Sequence, residues 1–227
     1  MKRFIIIVLA SFAMASCVVS DPYASNKLNQ SNIGTYCSEV FEQDVHENVK
    51  CFYDAYYIAK FLEAGAEEQV STKYDNIRTS LRWNSGNYSF GDMTVNLNKD
   101  DPFKVGGIWN VKLNYNRVIT ITMRSETEWK IEAEEDDTTI LLTLHSADDA
   151  GMKMNIQVRG RWTEESSYNA EFKSEDIDVE IVNKTPIAID KIYYGGTISF
   201  DFYEDLTRIL VCDMTLRAGT TSIYTVY

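Results

Sequence analysis

Two periodicities divide the chain. Between Ser38 and Ala64 apolar side chains fall at Phe41, Val45, Val49, Phe52, Tyr56 and Ala59, in steps of three and four. That is the spacing of one helical face. Ser38 is placed to cap the helix, with Glu39 and Glu42 favourable in its first turn, and Gly65 marks its end. Val70, Tyr74, Ile77 and Leu81 keep helical steps, yet Ile77 to Trp83 followed by Asn84-Ser85-Gly86 also fits a strand entering a hairpin turn. The expectation is a short helix to about Lys73, then a strand.

Beyond Trp83 the period changes to two. Met152, Met154, Ile156, Val158 and Trp162 alternate with Lys153, Asn155, Gln157, Arg159 and Arg161, the mark of a strand with one dry and one wet face. Gly160 is read as a bulge. Ile119/Ile121/Met123, Ile140/Leu142/Leu144, Tyr168/Ala170/Phe172, Ile177/Val179/Ile181 and Ile198/Phe200/Phe202 repeat the alternation. Leu206 to Leu216 is apolar on both faces around Ile209, Leu210 and Val211, so it is expected to be covered on both sides. The connections are short and polar, and such links join antiparallel neighbours. The predicted fold is mainly β: one long α-helix in a helical segment 37–73 packed on the sheet, then an antiparallel β-meander, 74–227, forming a sandwich or barrel.

The N-terminus carries an address. Lys2 and Arg3 precede an apolar run from Phe4 to Ala15, too short to span a bilayer but right for a signal peptide. Met14-Ala15-Ser16-Cys17 resembles the lipobox of bacterial lipoproteins, although Leu is more usual where Met14 stands. The resemblance implies a signal peptide over 1–16 and lipidation of Cys17. Residues 17–36 are polar after Val18-Val19 and read as the lipidated Cys and a flexible stalk. Val18 after the Cys implies, by the same resemblance, the outer rather than the inner membrane.

Composition narrows the rest. Hydrophobic residues make up 44% of the chain and aromatics 12%, enough to bury a core. The net charge is −12, more negative once Lys2 and Arg3 leave with the signal. Such a chain is repelled by nucleic acid and by anionic lipid, so an acylated Cys17 would have to supply the membrane attachment. Cys37, Cys51 and Cys212 are an odd set, so at least one thiol is unpaired. Along one helix Cys37 and Cys51 would stand about 21 Å apart, beyond disulfide reach. A Cys51–Cys212 bridge, or buried free thiols, remain open.

No catalytic constellation emerges. His46 and His145 lack ligand spacing, and no metal or other cofactor is expected. Glu134 to Asp137 and Asp148-Asp149 read as solvated turn tips. Of the four tryptophans, Trp109 and Trp162 fall in phase with core positions, which leaves Trp83 and Trp129 as candidate ligand-binding residues for a glycan.

The order of lipobox, polar stalk, aromatic helix and meander, with Gly107-Ile-Trp-Asn-Val111, Ile119-Thr-Ile-Thr-Met123, Glu128-Trp-Lys-Ile131 and Gly195-Gly-Thr-Ile-Ser-Phe200, resembles small uncharacterised lipoproteins of gut-type Gram-negative bacteria. That resemblance implies an outer-membrane lipoprotein, periplasmic or surface-facing, and lends no activity and no site residues. Gly107-Ile108-Trp109 is also similar to the Gly-x-Trp of the first lipocalin strand, which implies a barrel around an apolar ligand. The expected function is a lipid-anchored, non-enzymatic binding or scaffold protein with a glycan or protein partner; the alternative is a module for a glycan or a small apolar ligand.

Overall fold

The computed structural model describes residues 32–84, 86–113, 117–134, 137–163, 168–185, 187–204, 206–217 and 223–226. Cys17, the expected signal peptide and the expected stalk up to residue 31 lie outside them.

One continuous helical rod opens the domain. It comprises α1 (Ile33–Val40), a π-helical turn (Phe41–His46) and α2 (Glu47–Glu63). It starts at Ile33, ahead of Ser38, because Ile33 and Cys37 lie four apart and bury one more turn of the same face. Ala64 turns the chain to extended backbone and ends the rod.

After the rod come α3 (Ala66–Gln69), a 3₁₀ turn (Thr72–Tyr74) and α4 (Asp75–Ser80). The ambiguity over Ile77 resolves to helix: Tyr74 and Ile77, three apart, are both buried. The first strand begins only at Arg82.

Among the described residues twelve strands follow in a single antiparallel sheet whose spatial order is the sequence order. They are β1 (Arg82–Asn84), β2 (Asn87–Phe90), β3 (Met93–Asn96), β4 (Ile108–Leu113), β5 (Val118–Met123), β6 (Glu128–Ala133), β7 (Thr138–Asp148), β8 (Gly151–Thr163), β9 (Tyr168–Thr185), β10 (Ala188–Glu204), β11 (Thr207–Leu216) and β12 (Ile223–Val226). The sheet is not closed; β1 and β12 are its edges.

Register follows the alternation. Trp109, Ile121, Ile131, Ile140 and Val158 stand directly opposite one another across five strands. All five are buried. A one-residue slip in any strand would expose its whole apolar set, so the pattern fixes the pairing.

The helical rod lies in the hollow of this sheet. Arg117, just before β5, bonds to Asp44, while Tyr194 of β10 bonds to His46. Laid flat, strands five apart are separated by about 24 Å, whereas a helix is about 10–12 Å wide. The sheet must therefore curl around the rod. This explains why α2 is buried on more than one face: Val49, Phe52, Tyr53, Ala55, Tyr56, Tyr57 and Ile58 are all in the core.

Two local expectations change. Gly160 is not at a bulge. It pairs in register with Phe172, and the register shift lies between Ile156 and Val158. A side chain at Gly160 would run into the Phe172 ring. β11 is covered on one side only: Cys212, Met214 and Leu216 are buried, whereas Ile209 and Val211 are partly exposed.

Candidate functional site

The two tryptophans singled out as ligand-facing separate completely. Trp129 is 1% exposed. Its ring sits among Phe52, Phe103 and Trp109 at centroid distances of 5.4, 6.2 and 4.7 Å. It is core, because its strand phase points it at α2, and offers no face to a sugar. Trp83 is 67% exposed. It shares the inward phase of its partner Tyr88, but β1 is an edge strand and the neighbouring sheet does not enclose it. Trp109 is buried, and its indole nitrogen donates to the Pro102 carbonyl at 2.8 Å. Trp162 is half-buried against Tyr36.

The histidines are also apart. His46 pairs its Nδ1 with the Tyr194 hydroxyl at 3.0 Å and lies 3.7 Å from Glu42; His145 is exposed at the end of β7. Among the described residues no three or more His, Cys, Asp or Glu side chains are grouped to hold a metal ion. Asp148 accepts from the Ala150 amide at 2.8 Å and so closes its own turn.

The feature best formed for recognition is a cleft of about 390 Å³ where α2 ends. Tyr56, Tyr57 and Lys60 reach it from the last turns of α2, Tyr74 from the 3₁₀ turn, and Asp148 and Asp149 from the β7–β8 turn. The helical spacing places Tyr56, Tyr57 and Lys60 on adjoining faces. The short elements after Gly65 fold back to supply the opposite wall, and Gln69 secures them by donating to the Phe61 carbonyl at 2.9 Å.

The cleft is held from three sides. The Tyr57 hydroxyl donates to the Asp148 carbonyl at 2.7 Å, tying helix to hairpin. Lys73 reaches Asp149 at 3.0 Å. Lys60 pairs with Glu63 at 2.9 Å and sits 4.4 Å from the centre of the Phe103 ring. Its alkyl stem and ammonium thus cover an aromatic face.

Tyr56 and Tyr74 differ from Tyr57. They are 8% and 3% exposed, yet among the described residues neither hydroxyl bonds to a protein group. Burial pushes the ionisation of both upward, so at neutral pH each hydroxyl stays protonated and can donate. The Asp149 hydrogen bond raises Lys73, which keeps that cation in place. The wall therefore offers hydroxyl donors, carboxylate acceptors and aromatic carbon side by side. Its acids, with Glu63 and Glu68, outnumber Lys60 and Lys73, which disfavours an anionic ligand. The ammonium groups already occupy the ring faces of Phe103 and Tyr74, which leaves less for an external cation. A neutral polyhydroxylated molecule matches both facts.

A second hollow, of about 740 Å³, crosses the outer face of β6 to β10. Arg159 stands directly opposite Lys173 there, and Arg161 pairs with Glu171 at 2.9 Å. Its charges balance and its ring faces are turned inward, so it lacks the donor–acceptor–aromatic combination of the cleft.

The tyrosines were legible only as helix residues. The adjacent Tyr56-Tyr57 pair was the available signal; the return of Tyr74 across the gap was not encoded in any local spacing. The fold and cleft together define an open, helix-filled antiparallel meander with a small aromatic–polar recess. Comparison of the chain with protein-family models, curated proteins and solved structures finds no match.

Proposed function

We propose that the protein is a lipid-anchored binding module of the bacterial outer membrane, fastened through Cys17, that takes a neutral glycan in the tyrosine cleft. The observation that carries the recognition half of this reading is the pair Tyr56 and Tyr74: deeply buried rings whose hydroxyls are unengaged by the described protein and line a recess. A cleft of about 390 Å³ falls at the lower end of the range for small-ligand sites, the size for one or two sugar rings. The reading of an apolar ligand held inside a barrel loses support, because the rod from Ile33 to Glu63 occupies the hollow of the sheet. The anchor rests on the lipobox-like Met14-Ala15-Ser16-Cys17 and on the acidic chain, which has no electrostatic hold of its own on anionic lipid.

Two measurements test it. Calorimetric titration of the purified Cys17→Ser protein with a panel of neutral mono- and oligosaccharides should find binding that Tyr74→Phe weakens about 2- to 10-fold, the range of one hydrogen bond. No binding across the panel would leave the scaffold role as the reading. Cell fractionation should place the natural protein in the membrane and Cys17→Ser in the soluble fraction.

A further inference from the structure

The three remaining cysteines are not equivalent. Cys37 on α1 and Cys212 on β11 are both 0% exposed. The elements α1 and β11 pack against each other, and the two free thiols lie close enough to influence one another's ionisation. Cys51 lies farther along the rod, on α2, buried and away from them. We infer that Cys37 and Cys212 form a disulfide that locks the first helix onto the penultimate strand once the chain meets a disulfide oxidant.

The placement gives the bond its purpose. Cys212 pairs with Phe200 on one side and Val226 on the other, so it sits where the sheet nears its final edge. Cys37 sits in the first described helix. A bond between them closes a loop through nearly the whole domain, and long loops are where a cross-link most restricts the unfolded chain. It would also hold the end of the rod nearest Cys17 to the sheet, so a pull on the leash would not peel the helix out.

The chemistry is ordinary exchange. Either sulfur can attack first, because exchange takes place before the fold brings the two thiols together. One thiolate attacks the S–S bond of a protein or small-molecule disulfide and expels one thiol. The other cysteine sulfur, losing its proton, then displaces the second thiol. Two cysteine thiols are oxidised to one disulfide, and one oxidant disulfide is reduced to two thiols. Since both sulfurs are fully covered when folded, the oxidant must act before α1 docks. Burial pushes the Cys51 thiol up to about 12, which leaves it inert.

The availability of that oxidant in the cell rests on the envelope reading, so the test has two arms. First, reduced and unfolded Cys17→Ser protein is refolded with glutathione disulfide, denatured, alkylated and analysed by peptide mass spectrometry. A linked Cys37–Cys212 peptide with Cys51 alkylated is expected. The link should persist in Cys51→Ser and vanish in Cys212→Ser, and the oxidised form should unfold at higher urea than the reduced. Second, the natural protein is alkylated directly in cells. A link in both arms upholds the pairing and the location. A link in vitro with free thiols in cells upholds the pairing and counts against the envelope. No link in vitro, or one through Cys51, overturns the inference.

Discussion

The guanidinium of Arg117, on the residue before β5, lies 3.3 Å from the carboxylate of Asp44 in the π-helical turn of the rod. Asp44 is only 2% exposed. The second Arg117 nitrogen donates to the Gln43 carbonyl at 2.6 Å and to Glu47 at 3.2 Å. This single side chain pins the middle of the helix to one flank of the sheet, while His46 and Tyr194 pin it to the other.

Removing one partner should be costly. Arg117→Ala leaves the Asp44 charge buried without its cation, and breaking such a pair costs about 3–5 kcal/mol. The double replacement Asp44→Leu with Arg117→Met should recover most of that, because no buried charge remains. Urea unfolding of the three proteins checks the order.

Stability should fall as pH rises through weak acid on account of Asp54. This partly buried α2 carboxyl is pushed up to about 6 by desolvation, with Lys50 opposing. Its folded value exceeds its unfolded one, so the protonated form is the one the fold favours. The contribution is complete below about pH 4 and is lost as pH rises through about 6. Asp54→Asn should remove that decline and raise stability at pH 7 by about 1–2 kcal/mol. Melting curves from pH 4 to pH 7 would read it.

Two glycines should respond unequally. At Gly160 an added methyl meets the edge of the Phe172 ring, a side chain that can shift; Gly160→Ala should cost about 1–3 kcal/mol. At Gly151 the same methyl meets the Ile181 backbone, and φ is +145°. Backbone cannot yield as a ring can, so Gly151→Ala should lower the melting temperature further than Gly160→Ala.

Trp129 presents a third contrast. Its indole nitrogen is buried and, among the described residues, without a hydrogen-bond partner. Trp129→Phe removes that unsatisfied donor while keeping an aromatic ring between Phe52 and Trp109, and should cost under about 2 kcal/mol. Trp129→Ala should cost about 3–5 kcal/mol. Chemical denaturation followed by circular dichroism separates the two.

What the chain discloses of its fold depends on what repeats. The inward rows of Ile121 and Ile140 are readable because the alternations Ile119/Ile121/Met123 and Ile140/Leu142/Leu144 each admit only one burial face. Phe52, Tyr56 and Ala59 were readable for the equivalent helical reason. The role of Trp129 was not, since its side chain could be assigned only once β6 was in register with Leu142 and facing Phe52. Ile77 fits strand and helix alike, because an apolar residue in a short segment satisfies both periods. For Cys212 the residues leave open a bridge to Cys51 or a buried free thiol, and the fold has all three thiols free and buried; that α1 extends back far enough to pack on β11 is not written in any local spacing.

By itself, the sequence determined the elements: a helix of amphipathic period, a meander whose short links force neighbouring strands to run antiparallel, and the two-residue phase that sorts wet from dry. Each of these is set by contacts within a few residues, and such contacts are written in local spacing. Only the tertiary structure decided that the sheet curls around the rod, that Tyr74 folds back onto the cleft lined by Tyr56, and that α1 packs against β11. Those outcomes depend on how far a twisted sheet must bend to bury one helix, a property of all twelve strands together and of no stretch alone.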